Sequence, residues 1–436
     1  MSDHSFMTRL AFEALPPAAR ACWKDQEPQI IDRYSLYPDL YWDPSAHEEV
    51  RPHVLLIDGR PFHYAPSNEL EYNNWEMVPR DGRYAIARIR EGPNRNWQFV
   101  REGFLHYLDR SARLLSGGNL SDAAKALGVL VHFLEEAHVL HALEGPDGLD
   151  FFALDRLVAP PEGEPHRSPT AVLTEMASSE GDIRPYSTRL LGTSVGEVAF
   201  RLYSEHHRLM QQNRFLHLPL LSAILADERG EALRHLRRMN ENIARLVCDA
   251  VFTVTSMATG AYDDADLAGL QHLSLEDLHP VSRPCIAGGP YRFTPFVKGA
   301  CLSADRRCVP LAVRLLDGSV RSFARGWGSG THIEAVLAYD LPPQVYEALE
   351  VTVGLHEPLG RDGRVRLRVE LDDRPLVDGV LSRENPAIPC CLPVVAGGYL
   401  RLITRSLLED WTAPENNLVW GDPRLVRSPQ APAWRP

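Results

Sequence analysis

The residues with the clearest chemical potential are a histidine and a glutamate four positions apart. His132 and Glu136 lie in the segment VHFLEEAHVLH. If this segment is helical, one turn places both side chains on the same face, at about the separation that two ligands of one metal ion need. Imidazole and carboxylate are both good zinc ligands. The spacing also fits an exposed ion pair, and the apolar neighbours of His132 fit a buried histidine, so the pair alone leaves three interpretations open.

The segments that must position this pair are mostly helical. Apolar residues recur at intervals of three and four, and Gly or Pro residues follow several of these stretches. Asn119 or Ser121 is a good N-cap for the helix that carries His132 and Glu136. The predicted helices span residues 6–15, 97–115, 122–143, 194–212 and 229–257.

The pattern changes in the last third of the chain. Residues 258–289 are rich in Gly, Pro, Asp and Ser, which is typical of a boundary. After them, apolar residues alternate with polar ones, most clearly over residues 365–371, and short strands are separated by turn residues. The sequence therefore predicts a multidomain protein, α then β: a helical domain at 1–257, a linker at 258–289 and a β-sandwich at 290–430.

Length and composition narrow the class of protein. A chain of 436 residues is longer than one hydrophobic core usually supports, so we expect two domains. The net charge of -12 and the lack of a Lys/Arg block argue against duplex nucleic acid as a partner, although a small phosphate-bearing substrate remains compatible. The sequence contains no stretch of about 18 apolar residues, the length that is needed to span a bilayer. Seven cysteines without regular spacing and no signal-peptide pattern lead us to expect reduced thiols and a cytoplasmic location.

The helical half resembles the zinc-dependent phospholipase C superfamily, which includes fungal single-strand nucleases. The segment around His132 and Glu136 is similar to the family helix H-x-x-x-D/E, and three other motifs follow the family order. His4 lies in HSFMTRLAFEALP, Asp39 in YPDLYWDP and His63 in PFHYAP. The resemblance covers roughly residues 4 to 250.

This resemblance implies a metal-dependent phosphodiester hydrolase. Carried over to this sequence, Asp39, His63, His132 and Glu136 form one metal site, in which Asp39 and Glu136 are the catalytic carboxylates and Glu136 bridges two ions. The family pattern also suggests His4, His141 and Glu175 as further ligands, for one to three Zn²⁺ ions.

The sequence departs from the family pattern at three of these positions. His4 follows Met1-Ser2-Asp3, whereas secreted members combine the early histidine with a mature N-terminal amine. His141 follows His132 by nine residues, which on an unbroken helix places it on the opposite face. The family has a histidine four residues before the glutamate that Glu175 would match, and this chain has Ala171 there.

Residues 290 to 428 resemble the NPCBM family of carbohydrate-binding modules, which are galactose-binding-like β-sandwiches of the jelly-roll type. The matching text is ARGWGSGTHIEAVLAYDLP, VTVGLHEP, GRVRLRVELDDRPLVDGVL and VWGDPRLV. Most of these residues have a structural interpretation, because sugar sites in such sandwiches lie on variable loops. Trp327, His332 and Trp411 are candidates for stacking on a sugar from loops.

Three functions are compatible with these observations. The first is a zinc-dependent phosphodiester hydrolase of the phospholipase C class with a glycan-binding sandwich, acting on a phosphodiester or glycolipid. The second is a catalytically degenerate scaffold or glycan-binding protein that keeps a structural metal or none. The third is a glycoside hydrolase, since NPCBM modules usually accompany such enzymes, although no carboxylate pair can be assigned as acid and nucleophile.

Overall fold

The chain folds into two compact units. The computed structural model describes residues 3–36, 96–137, 181–280, 296–303, 307–330, 334–408 and 416–436, together with short strands at 56–57, 60–61, 75–80, 83–88 and 285–287. Unit 1 comprises Met1–Leu267 and Ala433–Pro436, and unit 2 comprises Ala268–Pro432. The chain thus returns to unit 1 after it has completed unit 2.

Unit 1 is mainly helical. Its described helices are α1 (Asp3–Ala14), α2 (Pro17–Ala21), α3 (Glu27–Asp32), α4 (Asn96–Ser116), α5 (Leu120–Glu135), α6 (Val195–Leu225) and α7 (Arg229–Thr259), with a 3₁₀ turn at Tyr34–Leu36. Two small antiparallel hairpins pair β1 (Leu56–Ile57) with β2 (Arg60–Pro61) and β3 (Trp75–Arg80) with β4 (Arg83–Arg88). A short helix, α8 (Asp264–Ala268), lies at the boundary with unit 2.

Helix α5 is the central helix of unit 1. The Asn119 side chain caps its N-terminus by accepting a hydrogen bond from the Asp122 amide. From Ala123 onward every residue except Lys125 is buried, as expected of a helix surrounded by protein. A Cβ added at Gly128 would lie 2.4 Å from the Tyr34 Cβ, so the glycine allows the 3₁₀ turn to lie directly on α5.

The two 31-residue helices α6 and α7 form an antiparallel hairpin that packs against α4. Ser194 caps α6, and Gly260 ends α7 in the left-handed conformation with φ 71°. The C-terminal residues of the chain also contact unit 1: the Trp434 amide donates to the Thr193 carbonyl (2.6 Å) and its indole N–H donates to Asp109 (3.1 Å). Among the described helices, none combines the length and the apolar character needed to cross a membrane.

Unit 2 is a β-sandwich of antiparallel strands. One sheet has the order β16-β15-β18-β13-β6, and the other has the order β17-β14-β19-β12-β7, with β5 beside β19. Four further short strands form two hairpins, β8 with β9 and β10 with β11. The strands are β5 (His272–Ser274), β6 (Cys285–Ala287), β7 (Val297–Lys298), β8 (Ala300–Leu302), β9 (Cys308–Pro310), β10 (Ala312–Arg314), β11 (Val320–Ser322), β12 (Gly326–Gly330), β13 (Glu334–Leu341), β14 (Tyr346–Leu355), β15 (Val365–Leu371), β16 (Arg374–Leu381), β17 (Ala387–Pro393), β18 (Gly398–Ser406) and β19 (Asn417–Arg427).

The predicted fold class, a helical domain followed by a β-sandwich, is confirmed. Strand β15 has the predicted alternation, with Val365, Leu367, Val369 and Leu371 buried. Helix α5 ends at Glu135 rather than at residue 143, and α6 continues to Leu225 through Pro219. Part of the predicted linker at 258–289 contributes to unit 2, because β5 pairs with β19. A three-residue strand is too short to show a period in the sequence.

Candidate metal centre

Three candidate ligands from two helices come together in unit 1. His4 lies in the first turn of α1, His132 in the last turn of α5, and Glu136 at the α5 C-cap. Their ligand atoms all lie within 4.8 Å of one another. Glu136 Oε1 is 3.0 Å from His132 Nε2 and 3.8 Å from His4 Nε2. The two imidazole rings are stacked, with centroids 4.4 Å apart, and all three residues are buried.

A backbone carbonyl fixes the orientation of His132. Its Nδ1 lies 2.8 Å from the carbonyl oxygen of Ser35. Because a carbonyl can only accept, Nδ1 carries the proton, and the neutral ring presents its lone pair at Nε2. Ser35 follows Tyr34, the residue that rests on Gly128, so the close packing of the 3₁₀ turn on α5 sets this contact.

A buried carboxylate fixes the orientation of His4. Glu135 Oε2 lies 3.1 Å from His4 Nδ1, and the Thr8 hydroxyl donates to Glu135 Oε1 at 2.6 Å. Burial raises the pKa of Glu135 to about 7, while the hydrogen bonds from His4 and Thr8 oppose that rise. With Glu135 ionised, the His4 Nδ1–H donates to it, and the His4 lone pair is at Nε2.

The resulting donor set fits a cation. Two imidazole lone pairs and one carboxylate oxygen face each other in a buried space, and acceptors only 3.0 Å apart need a proton or a positive ion between them. Two nitrogens and one oxygen are a common set of protein ligands for zinc. Metal-binding histidines also usually donate their second N–H to a carboxylate or a carbonyl, as His4 and His132 do here.

Helix α6 supports the end of α5 that carries Glu136. The Asn213 side chain donates to the Ala137 carbonyl at 2.5 Å. His206 is fully buried beside this turn and is hydrogen-bonded to the Phe133 backbone. Burial lowers the pKa of His206 to about 3, so its ring is neutral at physiological pH.

The structure brings together three of the seven predicted metal ligands: His4, His132 and Glu136. The other four, namely Asp39, His63, His141 and Glu175, lie outside the described residues. Helix α5 ends at Glu135, with Glu136 at its C-cap.

Sequence reasoning missed the residues behind the ligands. Thr8 is one turn after His4 on α1, and Glu135 immediately precedes Glu136, so both could have been suspected from their spacing. His206 lies within the predicted helix 194–212, and its spacing alone did not indicate that α6 turns it into the core. The contact made by Ser35 uses a backbone oxygen and left no signal in the sequence.

One of the three predicted sugar-stacking residues of unit 2, Trp327, is not in the expected position. Trp327 was expected in a loop, but it lies in β12, is 7% exposed, and meets Phe296 edge to face. Its ring is therefore a core side chain and cannot stack on a sugar from solvent. His332 and Trp411 lie outside the described residues.

Comparisons with known proteins concern the fold. No protein-family model matches the chain, and no curated protein sequence does. The solved alpha toxin of Clostridium absonum is 11% identical, covers 98% of this chain and 98% of its own, and has a TM-score of 0.36. The alpha toxin of a Clostridium perfringens avian strain is 11% identical, with 96% of this chain and 86% of its own covered and a TM-score of 0.30.

A second group of similar structures contains carbohydrate-binding modules. The CBM51 module of Clostridium perfringens GH95, solved with methyl-galactose, is 19% identical to this chain. The match covers 36% of this chain and 99% of the module, with a TM-score of 0.30. These matches cover nearly the whole chain for the alpha toxins and about a third of it for the CBM51 module.

Proposed function

We propose that unit 1 is a zinc-dependent phosphodiester hydrolase of the phospholipase C class. The supporting observation is that His4, His132 and Glu136 direct three electron-pair donors at one buried point, while the second ring nitrogens of His132 and His4 are held by Ser35 and Glu135. An accidental His–Glu pair on a helix surface would have neither the burial nor the supporting hydrogen bonds.

The chain's own residues divide the work of this site. His4 and His132 are fixed donors, since each ring is oriented by a hydrogen bond on its far side. Glu136 Oε1 lies near the Nε2 atoms of both histidines, so its carboxylate could join the two rings in holding one ion. A bound zinc ion supplies Lewis-acid charge for phosphoryl transfer and makes water more acidic. We further propose that Asp39, His63, His141 and Glu175 complete the set, as the sequence resemblance implies.

We propose that unit 2 binds a glycan. The support is the NPCBM-like text of the sequence together with the β-sandwich that this text forms. A glycolipid or a glycosylated phosphodiester would then be the substrate class that makes use of both units. Methyl-galactose, the ligand in the CBM51 structure, is the first sugar to test.

A degenerate scaffold with a structural metal is the second candidate function. The observation in its favour is burial: His4 and His132 are 3% exposed and Glu136 is 7% exposed. Structural zinc sites are closed, whereas catalytic sites keep an open position. Both candidates require a bound metal, and they differ in whether phosphodiester hydrolysis accompanies it.

Metal analysis and an activity assay on the full chain separate these functions. We expect purified protein to contain zinc and to hydrolyse bis(p-nitrophenyl) phosphate, with both properties lost in His132→Ala and Glu136→Gln. The matched control is His235→Ala, because His235 and Glu231 are also four residues apart on a helix, in contact at 3.1 Å, but outside this cluster. Zinc without hydrolysis supports the scaffold with a structural metal. Wild-type protein without metal contradicts both of these candidates and leaves the scaffold that keeps no metal.

A further inference from the structure

A hollow of about 290 Å³ lies on unit 2, over the sheet formed by β14, β17 and β19. Four charged side chains line it: Arg321, Glu350, Asp422 and Arg424. Thr352 and the β17 segment around Pro389 complete the lining. Thr352, Asp422 and Arg424 fall in the NPCBM-like text of the sequence, but that text assigned them no sugar contact, and the candidate metal centre of unit 1 does not involve them.

The backbone is irregular at this point of the sheet. Glu350 pairs with Arg424 and Thr352 pairs with Gly421, so two residues of β19 lie opposite one residue of β14. This is a β-bulge, a feature that redirects side chains and recurs next to binding sites. Asp422 lies in the bulge with φ 48°, a left-handed conformation that few residues other than glycine adopt. Residues held in such conformations cluster at ligand sites.

The charges of the hollow are paired and ordered. Arg424 donates to Glu350 through Nε at 2.8 Å and through Nη2 at 2.7 Å, and its Nη1 is 3.7 Å from Asp422 Oδ2. Arg321 lies over the Phe323 ring, 5.0 Å from its centroid. The side chains of Glu350, Arg424 and Asp422 remain between 37% and 44% exposed, so a ligand can reach them.

We infer that this hollow binds a neutral sugar, the terminal monosaccharide of a glycan; the inference rests on the proposed glycan-binding function of unit 2 and names its site. Each sugar hydroxyl both donates and accepts hydrogen bonds. Adjacent carboxylates and guanidinium groups offer acceptors and donors at fixed positions. The volume lies just below the range of about 300–1,000 Å³ typical of drug-sized ligands, which suits one sugar ring.

The charge balance argues for a neutral ligand. The lining contains two arginines and two carboxylates, so their charges cancel. A phosphate or carboxylate group in the hollow would lie beside Glu350 and Asp422 and would be repelled by them. A neutral polyol meets the same groups without that repulsion, and the apolar carbons of Val351 and Pro389 can contact its C–H face.

Titration calorimetry on the full chain tests the inference, with methyl-galactose and N-acetylglucosamine as neutral probes and glucose 6-phosphate as the charged one. Asp422→Asn keeps a residue that tolerates the left-handed conformation, and Glu350→Gln keeps the side-chain shape. We expect each variant to bind the neutral sugar at least about tenfold more weakly, because a hydrogen bond to a charged group is lost. The matched control is Asp373→Asn, which also has positive φ (65°) but is paired with Arg401 away from the hollow.

The outcomes distinguish this inference from the function on which it rests. Sugar binding that is unchanged in both hollow variants overturns the location and leaves glycan binding by unit 2 in place. Wild-type protein that binds no sugar overturns the proposed function of unit 2, and tighter binding of glucose 6-phosphate overturns the neutral class. Thermal unfolding is measured for every variant, and Arg321→Gln, at an exposed position, replaces any variant that does not fold.

Discussion

At the level of single residues, the two histidines of the proposed metal centre are oriented by different partners. His132 donates to the backbone oxygen of Ser35, whereas His4 donates to the carboxylate of Glu135. A backbone oxygen cannot be altered by substitution of its own side chain, but a carboxylate can. Glu135 is therefore the residue at which the orientation of a ligand can be tested without touching the ligand itself.

We expect Glu135→Gln to weaken zinc binding about 10- to 100-fold, because the amide accepts more weakly from His4 and can present its NH₂ group instead. Competition with a chromogenic chelator measures the affinity. Since Glu135 is fully buried, its neutral replacement should not lower the unfolding temperature of the metal-free protein. Glu13→Gln, at an exposed position of α1, is the control, and equal zinc affinity in both variants would refute the positioning role.

A buried histidine of unit 2 should make stability depend on pH. His356 Nδ1 accepts from the Leu359 amide at 3.2 Å, so its Nε2–H donates to the Pro310 carbonyl at 3.0 Å, and the neutral ring is satisfied. Burial lowers the pKa of His356, while the Pro310 hydrogen bond and Glu357 oppose this. Its folded-state pKa is thus below the unfolded value of about 6.5.

The sign of the effect follows from which state binds the proton. Below about pH 6.5 the unfolded chain takes up a proton that folded His356 does not, so stability falls as the pH is lowered and is unaffected by this group above that value. The free energy of unfolding changes by at most about 1.4 kcal/mol per pH unit, the value for uptake of one proton. Thermal unfolding from pH 8 to pH 5 should show a smaller loss in His356→Gln than in the wild type, and parallel curves would contradict this account.

At the level of elements, helix α5 carries the site because another element is packed tightly against it. Gly128 lets the Tyr34–Leu36 turn approach, and that turn brings the Ser35 carbonyl to His132. A substitution of Gly128, which lies about one turn before His132 and two turns before Glu136, should therefore change metal binding through the backbone.

We expect Gly128→Ala to destabilise unit 1 by about 1–3 kcal/mol and to reduce its zinc content, because the new Cβ would overlap Tyr34 and push the turn away. Chemical denaturation and metal analysis measure the two effects. Gly230→Ala is the control, since a Cβ there meets nothing within 4 Å near the start of α7. That variant should be unchanged or stabilised by about 0.4–1 kcal/mol, and zinc content in Gly128→Ala equal to that of the control would be the contrary result.

The sequence predicted the types of the elements better than their ends. The fold class and the alternation of β15 followed from apolar periodicity. The end of α5 did not, because the first Gly and Pro lie at 145 and 146, whereas the helix ends at Glu135, where Asn213 of α6 binds the Ala137 carbonyl. Likewise, spacing identified His132 and Glu136, but the approach of His4 and Glu135 depends on how α1 packs on α5.

At the level of the whole molecule, the order of the chain differs from the order of its units. Unit 2 is followed by Ala433–Pro436, which belong to unit 1. Trp434 provides two hydrogen bonds there, to Thr193 and to Asp109 near the middle of α4. These contacts connect the last residues with two segments that are distant in sequence.

We expect Trp434→Ala to lower the stability of unit 1 by about 1–2 kcal/mol, through the lost indole hydrogen bond and the lost apolar contact. Denaturant unfolding followed by circular dichroism at helical wavelengths measures the change. Arg435→Ala, at an exposed neighbouring position, is the control. If the two variants unfold at the same denaturant concentration, the tail does not support unit 1.

The position of Trp434 also constrains the timing of folding during synthesis. Residues 433–436 leave the ribosome only after every strand of the sandwich has been made. The hydrogen bonds to Thr193 and Asp109 can consequently form only after the strands of unit 2 have been synthesised, although these two partners are translated hundreds of codons earlier. A nascent chain interrupted within the sandwich would contain a helical unit without the two hydrogen bonds of Trp434.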